Sequence, residues 1–113
     1  MNEEGNKVVY RLMAAAGESR SASMRAIEEA RNGRFDESVS LLKQAEDLLE
    51  LAGGLLRFLL PCDEAEDDFS VDIMTVHAQD HMTMAILTKE RAEESLCLYR
   101  IIYSLKEKEE KAS

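Results

Sequence analysis

The residues of this chain best suited to chemistry stand together in Val76-His77-Ala78-Gln79-Asp80-His81-Met82, and the chain has no histidine outside this heptapeptide. Imidazole has an unperturbed pKa close to neutral, so a neutral nitrogen nucleophile is available at His77 or His81. On a helix, positions i, i+3 and i+4 share a side, which sets His77, Asp80 and His81 together. The His77/His81 spacing is also that of two metal ligands on one helix face. A zinc metalloprotease of that pattern places a glutamate directly after the first histidine. Ala78 occupies that position, which argues against such chemistry.

The element that must hold these groups is a long third helix. Neither Pro nor Gly interrupts the chain from Ser70 to Lys111, so a helix is expected from about Val71 to Lys108. Steps of about 100° per residue sort its apolar residues into two stripes. The first contains Ile73, Val76, Met84, Leu87, Leu98, Ile102 and Leu105. The second contains Met74, Ala85, Ala92, Leu96, Tyr99 and Tyr103. Gln79, Lys89, Glu93, Arg100 and Ser104 form the remaining polar face. A helix in a lone three-helix bundle needs one wide stripe, so two stripes imply that it also packs against copies of the chain, the first being the stripe a monomer would leave in water. Asp80 falls inside the first stripe. A carboxylate there is costly unless it is paired or metal-bound. The alternative is a capped or solvated Asp at the helix edge.

Two earlier helices are expected. The first runs from about Lys7 to Arg31, with Val9, Leu12, Met13, Ala16, Met24 and Ile27 recurring at helical spacing. Gly17 lies in its middle and suggests a close helix approach or a site pocket. Asn32-Gly33 ends it. The second runs from Phe35 to Leu60, with Phe35, Val39, Leu42, Leu49 and Leu56 facing inward and Ser38, Lys43, Glu46, Asp47 and Glu50 facing water. Pro61 stops it. Cys62 to Phe69 reads as a mobile acidic loop, and residues 1–6 and 107–113 as frayed termini.

Composition agrees with a single all-α domain. The chain has 113 residues, 45% of them apolar, with one Pro and five Gly, and helix formers dominate. A net charge of -9 argues against nucleic acid, whose binders displace counterions with basic patches. No apolar run approaches the ~20 residues that span a bilayer. The start lacks the features of a signal peptide, and Cys62 and Cys97 form no recognisable framework. The expected location is the cytoplasm.

Val76 to Met82 resembles the V-H-A-Q-D-H-L/M phosphorylation-site motif of the lactose/cellobiose-type enzyme IIA components of the bacterial sugar phosphotransferase system (PTS). Gly17-Glu18-Ser19-Arg20-Ser21 is similar to that family's G-[ND/E]-A-R-S segment. Ala30-Arg31-Asn32-Gly33-Arg34-Phe35 is similar to its A-K-x-G-D-F turn, and Ala85-Ile86-Leu87-Thr88-Lys89 to its A-I-L-A-K run. The likeness covers about residues 7 to 105. It implies an antiparallel, up-down three-helix bundle that assembles into a nine-helix homotrimer. It implies that His77 accepts a phosphoryl group from the histidine phosphocarrier protein HPr and passes it to a cysteine of a cognate enzyme IIB. It also implies that Asp80 lies at the trimer centre with a divalent metal, Mg²⁺, and that no membrane insertion is needed. His81 is then either a phosphoryl stabiliser or a residue hydrogen-bonded across the bundle. Gln79 orients an imidazole or faces water. Arg20 and Arg25 could approach the site only through the fold.

The chain departs from the family in its second helix. The usual A-H-x-x-Q-T-x-x-x-Q becomes Ala52 followed by Gly53, Leu56, Arg57 and Pro61 at the polar positions. That departure keeps open a rival reading, a helical regulatory or interaction module without phosphotransfer.

Overall fold

The structure is a computed structural model that describes residues 3–60 and 73–112. It contains three helices, α1 (Glu3–Arg31), α2 (Phe35–Leu59) and α3 (Ile73–Ala112), and no strand among the described residues. The Cys62 to Phe69 loop lies outside them. The helices form an up-down-up bundle about 70 Å long and 20 Å across. Antiparallel α1 and α2 are tied by two buried hydroxyls. Ser19 Oγ donates to the Ala45 carbonyl and Ser38 Oγ to the Ala26 carbonyl, each at 2.8 Å.

The α1–α2 corner follows from its sequence. Gly33 takes φ +80°, the left-handed conformation that glycine adopts without a Cβ clash. The Gly33 N–H then donates to the Ala30 carbonyl at 3.0 Å, and the Arg34 N–H to the Glu29 carbonyl at 2.9 Å. This pair of bonds is the Schellman closure of a helix end. Tyr103 of α3 seals the corner. Its hydroxyl donates to the Arg31 carbonyl at 2.9 Å, and its ring meets Phe35 edge to face at 5.4 Å. Arg100 lies over the other side of that system, 5.5 Å from the Phe35 centroid. At the far end of α2, Leu60 is extended, as steric conflict with a following proline requires.

The interior is built mostly from alanine. Among the buried apolar residues, only Val9, Leu12, Leu41 and Leu42 are larger. Helix axes can therefore approach closely, and larger side chains are displaced to the flanks. This displacement corrects part of the sequence reading. Met24 and Val39, expected inside, are exposed. Ser38, expected in water, is fully buried, and its bond to Ala26 satisfies the hydroxyl. Gly17 is exposed, with nothing within 4 Å of where a Cβ would stand, so no helix of the protomer approaches closely there. Residues 3–6 and 107–112 are helical rather than frayed. The C-terminal run is rich in Lys and Glu, which are good helix formers.

Two stability predictions follow from these contacts. A Cβ at Gly33 would stand 2.9 Å from the Tyr103 ring, at a positive φ. Gly33→Ala should therefore destabilise the fold by about 1–3 kcal/mol in urea titration. Ser23 is fully buried, and its hydroxyl has no hydrogen-bond partner among the described residues. Ser23→Ala should leave stability unchanged or raise it, whereas Ser19→Ala, which loses a made bond, should lower it by about 1 kcal/mol. A larger loss at Ser23 than at Ser19 would contradict the assignment.

Candidate functional site

The site sits on α3, and its orientation is set by three alanines. Ala78, Ala85 and Ala92 are each 0% exposed and seven residues apart. They form the line along which α3 meets α1 and α2. Partly buried Met74 and Met82 pack with Ala78 against Val9, Leu12 and Ala52. Leu96 packs beside Ala92. The sequence-predicted second stripe is thus the intramolecular one.

The predicted first stripe faces outward. Ile73 is 77% exposed, Leu87 58%, Leu98 51% and Leu105 59%, with Val76, Met84 and Ile102 also exposed. This is a contiguous apolar face along a helix, with no partner among the described residues. Asp80 is exposed in its midst.

His77 and His81 lie on the boundary between the two faces. His77 is exposed and His81 half-buried. Their rings meet edge to face, with centroids 4.8 Å apart and planes at 90°. Among the described residues His81 makes no hydrogen bond across the bundle, and its contact is the His77 ring. No cation stands within ion-pairing distance of His77 among those residues. Arg25 instead lines a shallow hollow between α1 and α2 with Glu18 and Gln44, and Arg20 is exposed. Gln79 faces water, while its carbonyl accepts a bond from Thr83 Oγ1 at 3.1 Å. The order of the heptapeptide is therefore explained. Ala78 is the residue that enters the core, so the groups on either side of it reach solvent.

Metal binding has a limited basis within one protomer. Among the described residues no three His, Cys, Asp or Glu side chains converge. Among those residues Asp80 belongs to no such group, and it stands exposed on the outer stripe.

One feature escaped the sequence reading. On the other flank of α3, a groove of about 560 Å³ opens against α2, lined by Leu49, Gly53, Met82 and Ile86 and rimmed by Glu46, Glu50, Arg57 and Lys89. Lys89 is held by Glu93 at 2.6 Å. Arg57 lies beside the two glycines, its guanidinium nitrogens 3.9–4.0 Å from where their Cβ atoms would stand. Gly53 brings no side chain into this groove.

Comparison with known proteins agrees with this geometry. Residues 7–100 match the family described as PTS system, Lactose/Cellobiose specific IIA subunit. The chain belongs to that family. It is 30% identical to the lichenan-specific phosphotransferase enzyme IIA component of Bacillus subtilis, over 90% of this chain and 93% of that one. It is also 30% identical to the N,N'-diacetylchitobiose-specific EIIA component of Escherichia coli K12, over 86% and 84%. Among solved structures, it superposes on the IIA(Chitobiose) of the Escherichia coli IIA–HPr complex with a TM-score of 0.81 at 27% identity, covering 90% of this chain and 99% of that one. The cellobiose-specific enzyme IIA of Bacillus anthracis gives a TM-score of 0.82 at 25% identity, covering 92% and 95%. The chain is thus an all-helical IIA component of a sugar PTS, and no described helix is long and apolar enough to cross a membrane.

Proposed function

We propose that this IIA component carries a phosphoryl group on His77. It takes the group from phospho-HPr and passes it to a cysteine of a cognate enzyme IIB in the cytoplasm. The sugar taken up is a β-glucoside, lactose or diacetylchitobiose-like compound. The carrying observation is the solvent-facing His77 imidazole, set edge to face against His81 on α3.

The neutral ring nitrogen of His77 attacks phosphorus without a separate base. The bond from phosphorus to the donor histidine nitrogen breaks in line, and its electron pair returns to the donor ring. That ring leaves as neutral imidazole when its other nitrogen is protonated, and His77 then carries the corresponding N–H. In the second step a IIB thiolate attacks phosphorus, and the P–N bond to His77 breaks. Such transfers depend mostly on positioning and on donors to the phosphoryl oxygens. His81 is placed to offer one N–H. Gln79, directed to water, contributes least.

The exposed apolar stripe of α3 supports a homotrimer. Patches of this extent usually mark interfaces, and cyclic closure would bury it. Closure also brings three copies of Asp80 together, which repel unless a cation or shared protons intervene. Their oxygens are the ligand type that Mg²⁺ takes, and the ion would supply charge neutralisation. The rival reading, a regulatory module that binds but does not transfer, draws on Gly53, Leu56 and Arg57 standing at usually polar family positions.

Two measurements test this. With catalytic amounts of the upstream PTS proteins, intact mass spectrometry should find about one phosphoryl group per chain on the wild type. The adduct should be acid-labile and base-stable, and absent from His77→Ala. Undiminished label on His77→Ala would move the site. No mass shift on the wild type would favour the regulatory module. Light scattering should find a trimer at tens of micromolar, roughly the range in which such apolar interfaces hold. Asp80→Leu should keep or strengthen that trimer by removing a buried charge at similar volume. A monomeric wild type would refute the assembly, and dissociation of the Leu variant would assign Asp80 to metal-mediated closure.

A further inference from the structure

A phosphoryl group on His77 carries negative charge, and its oxygens need cationic donors. Among the described residues the one ring contact His77 makes is with His81. Five of the bundle's fourteen lysines and arginines are engaged elsewhere. Lys89 is paired with Glu93, Lys43 with Asp47 and Arg34 with Glu29. Arg31 bonds Tyr99, and Arg100 lies on Phe35.

Arg57 is different. Among the described residues its guanidinium has no ion-pair or hydrogen-bond partner, and it rims the open α2–α3 groove. Its height along the bundle is fixed by the core. Ala52, Leu55, Leu56 and Leu59 of α2 share one cluster with Met74, Ala78 and Met82 of α3. Arg57 therefore stands level with His77. The two are nevertheless on opposite flanks. Arg57 faces the side of α3 marked by Met82 and Ile86, roughly 140–180° around the helix from His77 at 100° per residue.

Cyclic closure on the exposed stripe changes this relation. It sets the His77 flank of each α3 against the groove flank of the next copy, because such an interface is heterologous. Rotation about an axis parallel to α3 preserves height. The Arg57 of one copy then comes to the level of the His77 of its neighbour. We propose that Arg57 of the neighbouring copy supplies the cation that holds the phosphoryl oxygens on His77, so that each site is completed in trans. This rests on the phosphocarrier and trimer reading above. Arg is suited to the task, since its planar fork can donate two parallel N–H bonds to phosphoryl oxygens.

The test uses full-length chains and phospho-HPr in single-turnover labelling. Arg57→Ala should be labelled on His77 about 10- to 100-fold more slowly than wild type, a loss on the scale of one removed charge-stabilising donor. Arg57→Lys should recover part of the rate, because it restores the charge without the fork. Co-expressed His77→Ala and Arg57→Ala chains, isolated as mixed assemblies, should label faster than Arg57→Ala alone, because the intact arginine of one chain then serves the intact histidine of the other. If wild type labels and Arg57→Ala labels equally fast, the assignment of Arg57 falls while the carrier reading stands. If mixing restores nothing although Arg57→Ala is slow, the action in trans is overturned. A wild type that takes no label overturns the carrier reading and this inference together.

Discussion

Close helix approach along an alanine seam is the constraint on which the rest of the molecule depends. Ala78, Ala85 and Ala92 of α3 meet an equally small-residue surface on α1 and α2. Such a seam brings backbones together and leaves little interior volume. The apolar side chains that would fill a wider core have nowhere to go inside. They emerge instead on the outer face of α3 as Ile73, Met84, Leu87, Leu98 and Leu105. A narrow interior and an uncovered apolar exterior are two aspects of one packing choice.

The same choice places the chemistry. A residue next to the seam is held by the helix yet keeps its side chain in solvent. His77 precedes Ala78, and His81 lies one turn further along the same edge. Both imidazoles thus occupy the line where the intramolecular surface gives way to the uncovered one. A group there is accessible to a partner protein and adjacent to any copy that covers the stripe. On the opposite edge Gly53 brings no side chain into the groove it shares with Arg57.

Much of this was legible in the sequence. The uninterrupted span after Ser70 and the two-stripe pattern define α3, and the outward stripe is the one the spacing implied. Asn32-Gly33 marked the first corner because glycine tolerates the left-handed conformation of a helix cap. Other features were hidden for physical reasons. Alanine carries little hydrophobic signal, so the seam was read through larger neighbours, and Met24 and Val39 were drawn inward with them. Ser38 looked like a surface residue because its hydroxyl's partner, the Ala26 carbonyl, is on another helix. Gly17 suggested an approach that one protomer does not make. Arg57 and Gly53 read as departures from a family pattern, and their shared groove required the α2–α3 geometry.

The seven-residue spacing of the seam has a consequence for register. Sliding α3 by seven residues would again present an alanine at Ala78's place, so the seam behaves as a ruler with identical marks. It can hold the helices close without stating which mark is correct. That choice falls to the distant corner, where the Tyr103 hydroxyl meets the Arg31 carbonyl and its ring closes over Gly33. Tyr103 lies roughly 39 Å along α3 from His77 at 1.5 Å per residue. The height at which the imidazoles are presented is therefore indexed from the opposite end of the molecule. A slip at that corner would move the whole reactive face by about two turns while leaving the seam intact.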